Sequence, residues 1–375
     1  VPTLFVCGDI VNYENANGMI CSDLLADKIR KVDFSIGNLE APIEGVGEPI
    51  RKIGPHHFQR KSTIDGLKKQ GFDLLCLANN HMMDYGEQGL LATIEEAERA
   101  EIKTVGAGKT LEEAYQPLVT TIRDLKIGFI NACEAQFGVL DYHSKSNQPG
   151  YAWINHDRID EMILELKNVC DFVIVLAHAG LEHYSIPQKE WRHRYKHFCH
   201  LGADIVVGSH PHVPQGYEYY RDSLIFYSLG NFYFDSANFK EKEDRSYSVI
   251  LDLNKDRPIK FEPVFHQKQD GKVQLSSPEK QINLEHLNAS LDQEYEDLLE
   301  QMSLDIFHNR IKGKLSDSLL PFPLERSWKS TIKNFIRKRL GRNRVDKKEI
   351  QLLHYLRNES YYYAARHALE VLSKK

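Results

Sequence analysis

Apolar positions along the first 275 residues fall in short, nearly continuous runs. Leu4–Cys7, Phe34–Ile36, Leu74–Ala78, Thr104–Val105, Ile127–Cys133, Phe172–Ala177 and Ile205–Val207 each read as a strand covered on both faces. Between them, 62–70, 86–100, 156–168 and 187–201 carry the three- and four-residue apolar spacing of amphipathic helices. Runs at 224–228, 246–253 and 259–266 read as strands without intervening helices. The pattern predicts an α/β body that turns all-β before it ends. Past Ser276–Pro278 the character shifts, and 284–312 and 349–373 predict helices around a Pro-containing stretch at 321–323. The expected organisation is a domain over 1–275 and a helical, partly basic extension over 276–375.

At roughly 100–200 residues per domain, 375 residues make two to four structural units. Hydrophobic residues at 42% and charged residues at 27% exclude a disordered chain. The net charge of −5 offers no basic excess, so no nucleic-acid partner is expected. The charge is uneven, however. Residues 326–348 hold ten Lys and Arg against Asp346 alone, a local +9 that leaves −14 on the rest. Trp328, Ile332, Phe335, Ile336 and Leu340 recur at helical spacing among those cations. Such a helix can lie on an anionic membrane surface or pack its stripe on the main domain. No apolar run approaches the ~18–20 residues that span a bilayer. Strand-like sequence begins at Thr3, with no secretory signal before it, while Val1 in place of Met leaves a trimmed leader open. The six cysteines form no Cys-x-x-Cys pair and are too sparse for a disulfide framework. A cytoplasmic location, peripheral at the inner face of the membrane, is the expectation.

Polar residues gather where strands end, the place at which open α/β sheets carry their sites. Cys7-Gly8-Asp9, Gly37-Asn38-Leu39-Glu40, Ala78-Asn79-Asn80-His81, Ala177-His178 and Gly208-Ser209-His210-Pro211-His212 close five strands in turn. Asp84 follows the third and Glu182 the fourth. This mixture of imidazole, carboxylate and amide suits borderline divalent metals such as Zn and Mn. In an extended segment His210 and His212 project to one side, where they serve one ion or two adjacent ones. Asn231, in Ser-Leu-Gly-Asn-Phe, reads as part of a turn after 224–228, with a place in the cleft as the alternative. The adjacent His56 and His57 diverge in an extended chain and read as non-ligands. No nucleophile elbow, P-loop or dinucleotide fingerprint occurs.

Taken together, Gly37–Pro42 (GNLEAP), Ala78–Gly86 (ANNHMMDYG), His178–Glu182 (HAGLE), Gly202–Val213 (GADIVVGSHPHV) and Ser228–Asp235 (SLGNFYFD) resemble the CapA family. These are bacterial capsule and poly-γ-glutamate synthesis proteins, related to the calcineurin-like metallophosphoesterases. The resemblance implies a four-layer α/β/β/α sandwich, here with a helical C-terminal extension, and one or two divalent ions, Mn or Zn. It implies Asp9 and His212 as ligands of a first metal, Glu40 as the bridging carboxylate, and Asn80, His178 and His210 on a second. It also implies His81 as the proton donor to a leaving group, with Asp84 to orient it; Glu182 and Asn231 are further candidates. Two departures matter. The usual ligand two residues after the first Asp is replaced by Val11, and the usual bridging Asp by the longer Glu40. The implied activity is metal-dependent hydrolysis in capsule or surface-polymer biosynthesis, on a phosphoester. The alternatives are an amide or γ-glutamyl bond, or a non-catalytic accessory subunit of a polymer synthase at the membrane. The partner is then an anionic polymer or a phosphoester; the oligomeric state is not legible.

Overall fold

In a computed structural model of the chain, residues 1–235, 244–292, 294–319 and 345–374 are described. Most of the basic stretch 326–348, and the Pro-containing stretch at 321–323, lie outside them. Strands in the first part cover Thr3–Val11 (β1), Phe34–Leu39 (β2), Leu74–Cys76 (β3), Lys103–Val105 (β4), Ala107–Gly108 (β5), Leu118–Ile122 (β6), Leu125–Cys133 (β7), Val139–Leu140 (β8) and Gly150–Ala152 (β9). They continue with Phe172–His178 (β10), Ile205–Ser209 (β11), Tyr217–Tyr220 (β12), Ser223–Phe226 (β13), Asn231–Phe234 (β14), Arg245–Asp252 (β15), Lys260–Gln269 (β16) and Lys272–Leu275 (β17). One sheet runs β17-β16-β15-β1-β2-β3-β4, with β14 also on β1; a second runs β12-β13-β11-β10-β7-β6; β5, β9 and β8 form a small third.

The two large sheets pack face to face. Leu4, Val6, Ile36, Leu74 and Cys76 point inward from the first and meet Ile127, Phe129, Ile174, Leu176 and Val207 of the second. Phe34 and Phe129 stack across the interface at 5.5 Å. The alternate residues Phe5, Cys7, Leu75 and Leu77 face helices Asp23–Arg30 (α1), Ser62–Lys69 (α2) and Gly86–Arg99 (α3), whose Leu25, Ile29, Ile64, Leu67, Leu90 and Ile94 cover them. On the far side, Asp157–Lys167 contacts β7 and β10, while Lys189–Leu201 contacts β11 and β13. This is the four-layer α/β/β/α sandwich that the resemblance implies. Because both faces of both sheets are covered, β10 is buried at all seven positions, which is why the run 172–177 is uniformly apolar.

The chain separates into two compact units, Val1–Ile50 with His56–Tyr295 and Arg51–Pro55 with Glu296–Lys375. From Glu296 on, the described elements of the second are helices. The expected helix 284–312 is broken into Leu284–Ala289, Tyr295–Ile306 and a π turn at Phe307–Ile311. The expected helix 349–373 is likewise two, Val345–Arg357 and Glu359–Ser373. Asn358 divides them: its side chain accepts the Tyr361 N–H at 2.8 Å and caps a new helix. All six cysteines are free, and all but Cys170 are buried.

Candidate metal centre

The first half of the edge of β1 pairs with β15 and the second half with β14. The handover falls at Cys7-Gly8, where the β1–β2 register slips between Val6 and Asp9. Such a bulge re-aims the next side chain. It requires a residue without Cβ: a Cβ on Gly8 would lie 1.8 Å from the Gly230 carbonyl oxygen. Asp9 is thereby turned into the space where β2, β10 and β11 also end. Glu40 follows β2, Asn80 and His81 follow β3, His178 ends β10, and His210 and His212 follow β11.

Four donor atoms from four segments gather on one side of that space. Around His178 Nε2 lie Asn80 Oδ1 at 3.0 Å, His210 Nδ1 at 3.1 Å and Glu40 Oε1 at 3.6 Å. On the other side His212 Nδ1 is 3.3 Å from Asp9 Oδ2, and His212 Nε2 is 3.7 Å from the same Glu40 Oε1. Glu40 therefore belongs to two groups, one with His178 and His210 and one with Asp9 and His212, all buried. Ligands ~2.1 Å from one tetrahedral ion stand about 3.4 Å apart, so the separations around His178 suit shared coordination, while His212 can give an ion only one of the two nitrogens that face Asp9 and Glu40.

The fit to a cation rests on what the atoms lack. Neither carboxylate oxygen of Glu40 receives a hydrogen bond, although the residue is fully buried. Burial, reinforced by the charges of Asp9 and Glu182, holds its carboxyl well above the usual range. Burial pushes His210 down to about 4, and burial followed by His210 pushes His178 down as well. At neutral pH both imidazoles are uncharged and keep a lone pair for coordination. Burial opposes the charge on Asp9, but hydrogen bonding to His212 and the field of His178 outweigh it and bring the carboxyl to about 2. His212 is pushed down by burial but raised overall by Asp9. The centre thus pairs an ionised Asp9 with two neutral imidazoles and a carboxyl that only a proton or a cation can settle.

Beside this group, His81 Nδ1 meets Asp84 Oδ2 at 2.6 Å, and the same oxygen accepts the His57 N–H at 2.7 Å. His57 packs edge-on against His81 with ring centres 4.2 Å apart. Neither His56 nor His57 belongs to a ligand group. Glu182 stands outside both groups as well. Burial would raise its carboxyl, yet His210, His212, His183 and His81 bring it to about 2.

Two expectations need correction. His210 and His212 are not extended: their φ angles are +98° and +60°. The segment bends instead of alternating, and this sends the two rings to different groups. Asn231 opens a strand, β14, rather than lying in a turn; the turn is made by Gly230 at φ +75°. Its Oδ1 lies 3.0 Å from His212 Nδ1, so it faces the centre. Val11 is fully buried and apolar, and His212 and Asp9 group with Glu40 without it.

Sequence reasoning missed the groups behind the candidate ligands. Asn38 Nδ2 donates to Asp9 Oδ1 at 2.7 Å and lies 3.1 Å from His178 Nδ1. Glu134 Oε1 lies 3.6 Å from His210 Nε2. Both carried a signal. Asn38 sits inside the Gly37–Pro42 motif, and Glu134 follows the run Ile127–Cys133 as Glu40 follows its own strand.

A family profile described as the bacterial capsule synthesis protein PGA_cap matches residues 3–236. The PGA biosynthesis protein CapA of Bacillus subtilis is 29% identical over 292 residues, 76% of each chain. The capsule biosynthesis protein CapA of Bacillus anthracis is 33% identical over 228 residues, 57% of this chain and 54% of that one. Among solved structures, a hypothetical protein of Thermus thermophilus superposes with a TM-score of 0.48 at 18% identity, over 71% of this chain and all of that one.

Proposed function

The chain belongs to the bacterial capsule synthesis protein family, and on that premise we propose that it is a metal-dependent hydrolase of a phosphoester bond in surface-polymer biosynthesis. The observation that carries the reading is Glu40, a buried carboxyl to which no N–H or O–H donor is aimed, faced by Asp9 and by imidazoles on both sides. Asn80, His178 and His210 would hold one divalent ion and Asp9 and His212 another, with Glu40 shared; Mn or Zn suits these N and O donors. Bound divalent ions lower the pKa of a coordinated water from about 15.7 toward 7 and offset charge on a phosphoryl oxygen.

The protein's own groups supply the rest. Asn38 holds Asp9 from behind, which keeps the carboxylate turned into the centre. Asp84 binds His81 at Nδ1, so the proton this imidazole has to give sits on Nε2. The His57 N–H on the same Asp84 oxygen fixes the carboxylate and so the ring. His81 in this setting serves as the acid for a departing alkoxide. The substrate would be an anionic polymer or its phosphoester precursor, handled at the inner face of the membrane; among the described residues no helix is long and apolar enough to cross one.

The test is a panel of bis-(p-nitrophenyl) phosphate, p-nitrophenyl phosphate and a γ-glutamyl anilide, offered to the Mn- or Zn-supplied protein and to His81→Ala. Phosphodiester turnover that falls in His81→Ala supports the reading. Turnover of the anilide alone moves the reaction to an amide bond. Val11 at a usual ligand position favours a second reading, a non-catalytic accessory subunit; metal uptake with no turnover of any substrate would establish it against the first.

A further inference from the structure

The short loop after β7 touches the ligands of one half of the centre. Asn80 Nδ2 donates to Gln136 Oε1 at 3.4 Å, which leaves Asn80 Oδ1 facing His178 Nε2. Gln136 Nε2 donates to Glu134 Oε1 at 2.8 Å. That same carboxylate oxygen lies 3.6 Å from His210 Nε2, and its partner oxygen accepts the Gly180 N–H at 3.3 Å. His210 thus has a carboxyl group behind Nε2 and turns Nδ1 toward His178. Glu134 and Gln136 are both buried.

We propose that Glu134 and Gln136 are positioning residues for one ion of the pair. They set the amide orientation of Asn80 and the tautomer of His210, and they leave the Asp9–His212 side untouched. The inference rests on the metal reading above.

The chemistry supports an arrangement of this kind. A neutral imidazole can coordinate through Nδ1 only if its proton sits on Nε2, and a carboxylate behind Nε2 selects that tautomer. An amide can coordinate through oxygen only if its NH2 is taken up elsewhere, and Gln136 takes it up. One side chain, Gln136, links the two choices. The backbone gives the same picture. His210 is a non-glycine residue at φ +98°, a conformation that persists only where its surroundings hold it. Asp9 holds its N–H at 3.3 Å and Glu134 stands behind its ring. On the other side of the centre His212 has different partners, Asp9 and Asn231. Asp9 and Asn38 link the two halves, through the His210 N–H and His178 Nδ1, but Glu134 and Gln136 meet His210 and Asn80, so their loss should act first on that half.

The experiment is a Mn2+ titration followed by the electron paramagnetic resonance of free ion, on wild type, Glu134→Gln and Gln136→Met. Glu134→Gln keeps the shape and removes the charge; Gln136→Met keeps the length and removes both hydrogen bonds. The expected result is two ions in the wild type and, in each variant, one affinity unchanged and the other weakened about 10- to 100-fold. Thermal unfolding of the metal-free proteins is run alongside, and selective loss at one site without a change there is what general destabilisation cannot produce. If one variant fails to fold, the other still reads the proposal. Unchanged affinities in both variants, or equal weakening of both sites, overturn it while leaving the metal reading in place. A wild type that takes up no Mn2+ overturns the metal reading itself.

Discussion

Oε1 of Glu40 lies 3.6 Å from Nε2 of His178, and no hydrogen bond reaches either oxygen of that buried carboxylate. A carboxyl that burial and Asp9 hold well above the usual range destabilises the metal-free protein at neutral pH, because the unfolded chain ionises it and the fold does not. Glu40→Gln should therefore raise the melting temperature of the metal-free protein. It should also abolish the further rise that Mn or Zn gives the wild type, about 2.7 kcal/mol at a hundredfold excess over Kd. Thermal denaturation of both proteins with and without metal reads both effects. A variant less stable than wild type without metal would show that Glu40 is satisfied in some other way.

In the proposed mechanism Asp84 acts through His81, which it meets at 2.6 Å, so its removal should affect the proton and not the metals. Asp84→Asn is expected to lower kcat about 100-fold or more, within the range of general-acid contributions. Metal content should stay at the wild-type value. Steady-state kinetics beside elemental analysis separates the two, and loss of metal in Asp84→Asn would place Asp84 among the supports of the ligands instead.

The bulge at Gly8 explains how one strand can serve two partners and still present Asp9. Gly8→Ala puts a methyl group against the Gly230 carbonyl, in a place where only backbone could give way. The expected cost is about 3 kcal/mol or more, with loss of metal uptake. A chemical-denaturation midpoint close to that of the wild type would show that the strand relaxes around the methyl group.

Away from the centre, His266 on β16 is buried against Phe232, with its Nε2 2.9 Å from the Ser248 hydroxyl. Burial pushes it down to about 3. It stays neutral in the folded state while the unfolded chain takes up a proton near pH 6.5, so unfolding is favoured as pH falls. The stability it carries is complete above pH 6.5 and is lost between 6.5 and about 3, at about 1.4 kcal/mol per pH unit. In His266→Gln the slope of stability against pH, measured on metal-free protein between 6.5 and 5, should be shallower by up to that amount. Equal slopes would mean that His266 is protonated in the fold.

These supports show what the sequence could and could not disclose. Strands with both faces covered leave continuous apolar runs, and the polar residues that end them converge on the candidate centre; Asp9, Glu40, Asn80, His178 and His210 are legible in that way. Glu134 obeys the same rule but lies outside the motifs that carry the family resemblance. The directions of His210 and His212 were not legible, since a positive φ at a non-glycine residue is imposed by tertiary contacts and has no local signature. Asn231 was misplaced for a related reason. Gly230 does make a turn, but β1 has a free edge beyond its bulge, and β14 pairs there. The break at Asn358 was missed because an Asn within an apolar periodicity does not announce a cap until its partner N–H is known.

The central claim is that these side chains hold metal and use it. Its most direct measurement is elemental analysis of the purified protein beside His210→Ala, with bis-(p-nitrophenyl) phosphate hydrolysis on the same samples. About two divalent ions per chain are expected in the wild type, with the ion on the His210 side and the activity both lost in the variant. A wild type that holds no metal after Mn and Zn have been supplied would contradict it.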